Sequence, residues 1–380
     1  MPYRREGRRS SATLALCAGL AAIFAGCVGE VYSEPGTGGG GPVVMIDLGG
    51  AGDAGAGTDL GRDAGRIDAG PADPCAGVMC GAGARCDATT RACVCAPGFV
   101  DSGSACIAAA PGDPATRTRD EVCARWRSDS VDRAASAWTA GASMCDPGTV
   151  PADAIDDTVR RVNLYRWLSG LGPVVEDPAQ RGRDQQCAHM MSVNGSLDHS
   201  PPTSWACYTA DGAAGAGSSN LSLGVSSGAE GIDLFMDDRG VPSLGHRRWI
   251  LHGPLGRVGV GFSAGGRGAS CLGVFDASGR STRAWTAYPN EGVAPVQNAG
   301  AAWSFHSESL GLGGATVSVA RVSDGAMLGV TVEHPPDGYG PDTVSFTPSG
   351  WTPTAGERYR VTVRGTSAGD ITYEVELVRC

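Results

Sequence analysis

The sequence predicts an α+β protein in which helices pack on an antiparallel sheet and an all-β section follows. Three observations predict it. Ile155, Val159 and Val162 fall at i, i+4 and i+7, the spacing of one helix face, and Gly170 stops the run. Asp177 and Pro178 read as the cap and first turn of a second helix, which continues through Cys187 and Met190 to Asn194-Gly195. Near the end of the chain Tyr359, Val361 and Val363 alternate with Arg358, Arg360, Thr362 and Arg364. Ile371, Tyr373, Val375 and Leu377 alternate in the same way with Thr372, Glu374 and Glu376. That period of two is a hairpin with one apolar and one charged face, closed through the loop 365–370.

At 380 residues the chain has room for two or three domains. Residues 1–26 read as a signal peptide. Arg4, Arg5, Arg8 and Arg9 precede an apolar run from Ala12 to Ala25, too short for a comfortable membrane span. The run ends in "FAGC", which resembles a bacterial lipobox with Cys27 as the lipidated residue. The membrane is then a partner through the lipid, and the location is the cell envelope, at the outer membrane. Plain secretion is the alternative if Cys27 is not lipidated. The formal charge is −10, and no lysine occurs. Loss of four arginines and Glu6 with the signal leaves −13. An acidic chain without a basic patch argues against a nucleic-acid partner.

Residues 27–74 are Gly, Ala and Asp with few large apolar groups, so they read as an acidic tether. Within them "VVMIDL" and "GAGDAG" mimic a dinucleotide fingerprint, but no amphipathic helix follows. Residues 75–106 carry six cysteines in a segment too short for a core of its own. Their spacing, with "CAPGF", resembles an EGF-like module. The resemblance implies Cys75–Cys86, Cys80–Cys93 and Cys95–Cys106, a spacer or weak protein-binding unit without the acidic calcium signature.

Residues 115–150 read as a helical lead-in around "RDEVCARW", with Cys123–Cys145 as the local pair. A domain over 151–290 follows. A third, short helix fits Gly231 to Asp238, and strand-like pieces lie at 257–262, 270–277 and 283–288. Cys187–Cys207 would tie the second helix to the Trp205 loop. Cys271–Cys380 would fasten the all-β section, 295–380, to that domain. An even count of cysteines in an exported chain supports full pairing.

Six pieces in order resemble the CAP superfamily, or SCP domain. They are Asn163-x-x-Arg166, Gly170-Leu171-x-Pro173, Ala188-x-x-Met191, Leu197-x-His199, Gly245-His246-Arg247 and Val258-Gly259-Val260-Gly261. The resemblance implies an α-β-α sandwich, here preceded by the EGF-like unit and followed by a small β-sandwich. It also implies a cleft lined by His199, His246 and Asp238, with Asp237 competing for the last place. Ser219, before Asn220, stands where the family usually has a second carboxylate. Asn163, Arg166, Asn220 and Arg247 support that cleft, and Arg247 and Arg248 are expected to form surface pairs with Asp237 or Asp238.

Two imidazoles and a carboxylate can hold zinc weakly and leave a position for water. Family precedent favours binding of an extracellular lipid, sterol, peptide or surface component over catalysis. A hydrolase, metal-assisted or built on Ser219, His199 and Asp238, is the first alternative. A structural or adhesion protein with an inert cleft is the second. Two G-x-S-x-G matches, "GFSAG" at 261–265 and "GTSAG" at 365–369, read as hairpin loops because no helix follows either.

Overall fold

The computed structural model describes residues 31–34, 43–46 and 75–380, less 76, 77, 79, 82, 88, 103, 104 and 301. The signal segment, Cys27 and the "GAGDAG" match lie outside these residues. Two strands occur where a tether is expected, β1 (Val31–Glu34) and β2 (Val43–Ile46), and they pair antiparallel.

The unit from Cys75 onward is held by Cys75–Cys86, Cys80–Cys93 and Cys95–Cys106. Its sheet consists of two small hairpins, β3 (Ala84–Cys86) with β4 (Cys93–Cys95) and β5 (Phe99–Asp101) with β6 (Cys106–Ala108). Ala96 is its one buried apolar residue among those described, so the bridges take the place of a core. The unit is docked on its neighbour. The amide of Asn163 donates to Pro97 O at 2.9 Å, and Arg85 pairs with Asp156 at 2.6 Å.

Helix α1 (Arg119–Asp129) starts in a capping box made by Thr118 and Glu121. The next elements are α2 (Ala152–Leu168), β7 (Val175–Glu176), α3 (Pro178–Asn194) and α4 (Ala210–Ala216). They are followed by β8 (Ser219–Leu223), α5 (Gly228–Asp237), α6 (Gly245–Ile250), β9 (Arg257–Ser263) and β10 (Ala269–Gly273). Asp177 caps α3, and Gly195, in the left-handed region, ends it.

The strands form one sheet in the order β1-β2-β8-β10-β9-β7. β2 lies antiparallel on β8, with Met45 opposite Ser222, so the expected tether supplies a strand to the main sheet. Helices cover both faces. Val258, Val260, Leu272 and Val274 share a core with Val159 and Val162 of α2 and with Ile232 and Phe235 of α5. Leu221, Leu223 and Ala269 face the other way, onto Ala188, Met190 and Met191 of α3. The alternation along each strand produces the two faces.

Helix α3 lies very close to β9. A Cβ on Gly259 would stand 1.6 Å from Asp184 Oδ2, and one on Gly261 2.0 Å from Asp184 O. The Val-Gly-Val-Gly alternation is therefore apolar toward α2 and α5 and bare toward α3.

Beyond residue 285 the chain is strand and turn. Its elements are β11 (Thr286–Tyr288), β12 (Gly292–Pro295), β13 (Trp303–Ser307), β14 (Thr316–Arg321) and β15 (Met327–Leu328). After these come β16 (Val330–Glu333), β17 (Asp342–Pro348), β18 (Arg358–Thr366) and β19 (Gly369–Val378). Two sheets, β11-β13-β17-β16 and β12-β19-β18-β14-β15, contribute to one core around Trp303, Phe305, Phe346, Tyr359 and Tyr373. The hairpin has the register of its alternation. Tyr359 faces Val375 and Val361 faces Tyr373, while Arg358 faces Glu376 and Arg360 faces Glu374. Residues 286–288, expected in the preceding domain, pair with β13 and belong here.

Three bridges differ from expectation. Cys123 bonds Cys380, Cys145 bonds Cys207, and Cys187 bonds Cys271. Nearness in sequence misleads because helix geometry turns Cys123 and Cys187 inward. Cys123 faces the C-terminal end of the chain, and Cys187 faces β10. Cys145 and Cys207 are left together in loops. Non-reducing peptide mapping is expected to recover these three pairs. Joint replacement of Cys123 and Cys380 by Ser should cost about 2–4 kcal/mol in urea unfolding. Recovery of a Cys123–Cys145 peptide would contradict this arrangement.

Candidate functional site

Helix α5 is capped by Ser227 and ends at Asp238, whose φ of 48° turns the chain back. Leu244, at φ 49°, turns it again into α6. Two non-glycine residues in the left-handed region within seven positions mark a constrained corner. The corner brings His246 Nδ1 to 2.7 Å from Asp238 Oδ1, while Asp238 Oδ2 accepts the backbone N–H of Arg247 at 3.1 Å. The imidazole stacks on Phe235, 5.1 Å between centroids. His246 is fully buried, and Asp238 is 1% exposed.

Arg247 is fully buried as well, instead of forming the expected surface pair. Its guanidinium donates to Met236 O and Asp237 O at the end of α5, both at 2.8 Å. It also donates to Ala302 O at 2.7 Å and Ser304 Oγ at 2.9 Å in the all-β section. Arg248 is buried beside it and reaches Ser243 O, Pro336 O and Pro341 O. Burial draws the Arg247 pKa below its ordinary value.

Arg166 repeats the pattern, donating to Gly172 O, Ile250 O, His252 O and Leu255 O at 2.8–2.9 Å. Burial draws its pKa down to about 9, so it remains charged at neutral pH. Asn163 exchanges two hydrogen bonds with the backbone of Val174.

His199 is half-buried, and its Nδ1 donates to Ala216 O at 2.7 Å. Ser219 opens β8 and is fully buried. Its Oγ donates to Asp184 Oδ1 at 3.3 Å. The Asn220 amide donates to His246 O at 3.0 Å.

These positions correct the sequence-based picture of an open four-residue cleft. His246, Asp238 and Ser219 are buried, and of the four only His199 has appreciable exposure. The Ser219–His199–Asp238 triad is not assembled, since Asp238 bonds His246 and Ser219 bonds Asp184. Both Asp238 oxygens accept hydrogen bonds, from His246 and from the Arg247 amide, and no group of three metal-ligating side chains gathers among the described residues. The sequence reading assigned no strand to residues 219–223, which form β8 and are all buried.

Three further features escaped the sequence reading. Asp184 lies within α3, fully buried, and burial pushes its carboxyl up to about 7. A lone acid immediately before the Gln185-Gln186-Cys187 run was its only signal. Arg248 was taken for a surface residue. His189 pins two segments, with Nε2 donating to Met144 O at 2.8 Å and Nδ1 accepting from Ser263 Oγ at 3.0 Å. Ser263 of "GFSAG" is fully buried at the end of β9, and "GTSAG" spans the β18–β19 turn.

Residues 159–275 match the model of the cysteine-rich secretory protein family, CAP. The CAP match takes in every quoted motif from Asn163 to Gly261 and under a third of the chain. No curated protein and no solved structure matches the chain.

The buried polar groups of the matched segment generate two predictions. Below pH 4 Asp184 is protonated whether the chain is folded or not. As pH rises toward 7 only the unfolded chain releases that proton, so the residue withdraws stability across this window. Asp184→Asn should therefore gain stability relative to wild type between pH 4 and 7 and then level off, read by urea unfolding at each pH. A difference independent of pH would contradict the raised pKa. His246→Ala leaves Asp238 short of a buried partner and opens space beside Phe235. A loss of about 2–4 kcal/mol is expected in the same assay.

Proposed function

We propose that this chain is an exported, envelope-anchored binding protein whose CAP domain is a rigid support without catalytic chemistry. In this reading Cys27 carries the lipid. An EGF-like unit rides on the α-β-α sandwich, and a β-sandwich is locked to its other end. Contact with an extracellular component is made by the surfaces of the assembled modules.

One observation carries the reading. The polar atoms of the family's histidine motif are spent on internal bonds, with Asp238 on His246 and Arg247, and Arg247 on carbonyls from two domains. A catalytic or metal-binding group needs a lone pair or proton facing its substrate. Support also comes from the six bridges, which suit an oxidising compartment. Ligand contact at the rim of His199 is the second reading, favoured by the partial exposure of that ring.

The test uses the full chain expressed in a bacterium with an outer membrane. Labelling with a fatty-acid analogue is expected for the wild type and lost in Cys27→Ala. Purified protein is expected to contain far less than one zinc per chain and to leave ester and peptide panels unhydrolysed. His246→Ala should lower the unfolding midpoint and change neither result. Stoichiometric zinc, or hydrolysis abolished by His246→Ala in a folded protein, would sink the proposal.

A further inference from the structure

The all-β section contains a hollow of about 250 Å³, between the 3-10 turn Val296–Ala299, the end of β17 and the loop 349–353. Trp351 forms part of its wall, with Val296, Gly300, Thr347, Pro348 and Thr352. The indole is fixed before any ligand arrives. Its Nε1 donates to Gly329 O at 2.7 Å, and the same carbonyl accepts the N–H of Ser349 at 2.9 Å. The ring packs on Tyr359, 5.0 Å between centroids, and meets Trp303 edge-on at 6.1 Å. Preorganisation of this kind lowers the ordering cost of binding.

The chemistry of the lining narrows the ligand. No charged side chain lines the hollow, and Arg239, whose guanidinium stands beside Gly300 at its edge, pairs with Asp237 at 3.3 Å, so an anionic ligand finds no unpaired counter-charge in the wall. Thr347 and Thr352 line it, and their hydroxyls make no hydrogen bond among the described residues. An electron-rich aromatic face attracts polarised C–H groups, and adjacent free hydroxyls match a ligand rich in O–H. A purely apolar ligand would strand those hydroxyls. One ligand class has a flat C–H face, a hydroxyl rim and no charge.

We propose that this hollow is a binding site for a neutral hexopyranose unit of an extracellular glycan, stacked on Trp351 and hydrogen-bonded by Thr347 and Thr352. The site stands apart from the CAP domain's histidines and does not depend on the reading of that domain. A proline-rich peptide is the competing occupant, since Pro348 and Trp351 also suit an extended helix of that type.

The full mature chain is titrated calorimetrically with cellohexaose, laminarihexaose, mannohexaose, maltohexaose and a proline-rich decapeptide, and indole fluorescence is followed in parallel. At least one hexopyranose oligomer is expected to bind with Kd below about 1 mM and to perturb the fluorescence. Trp351→Ala is expected to weaken that binding at least tenfold. Because Trp351 also packs on Tyr359, Gly300→Trp provides the second arm. Its φ of −78° accepts a side chain, and an added Cβ would meet only Arg239 Nη2, at 3.5 Å. That variant should keep the wild-type unfolding midpoint and lose binding to the same extent. Absence of binding by all four oligomers, binding unchanged in Gly300→Trp, or binding of the decapeptide alone would overturn the proposal.

Discussion

Three buried arginines hold this molecule together by giving their charge to backbone oxygens. Removing a guanidinium from water is costly unless its five N–H groups find acceptors. Arg166 finds them in the loop between α6 and β9 and at the start of the turn after α2. Arg247 finds them at the open carbonyl end of α5 and across the domain boundary. Arg248 finds them in the segment 336–341. In each case the guanidinium is matched to backbone dipoles, and directional bonds fix the geometry. Planar, delocalised arginine suits that task, and a lysine ammonium does not.

The same economy explains the histidine motif. His246 could serve chemistry only if its neighbours left it a facing substrate. Instead Phe235 covers one side of its ring, and Asp238 holds Nδ1. Asn220 takes the carbonyl of the same residue, joining the corner to β8. Gly-His-Arg therefore works as a joint between α5, the main sheet and the all-β section. His306 lies across that joint, bonded to Ser304 and Thr343. Burial and the two nearby arginines hold its pKa well below the ordinary value, so it adds no further charge.

Regular elements were readable where one physical signal dominated. Asp177-Pro178 and Gly195 delimit α3 because capping is local, and the β18–β19 register follows from strict alternation across one buried face. β8 escaped because it is buried on both faces by small groups. Ser222 sits where a Cβ on Gly231 would come within 3.1 Å, so the strand has no large apolar residues at those positions to announce it. α6 escaped because its cap is Leu244, which makes no side-chain cap bond. Of the candidate residues, His246, Asp238, Arg247 and Asn220 meet at one corner, whereas His199 and Ser219 bond elsewhere. Burial at that corner was not legible in the sequence, because it arises from α5, α6 and β8 meeting, which no local pattern encodes. The long-range bridges escaped for the same reason.

The bond between Cys123 and Cys380 closes a ring that spans 257 positions and includes the last residue. That ring changes what a protease cut can do. A single cleavage in an exposed turn inside the ring, such as the one near Gly325, opens the circle but separates nothing. Both pieces stay covalently joined, and each remains seated against the other by the core. Releasing a piece from within the ring would take at least two cuts.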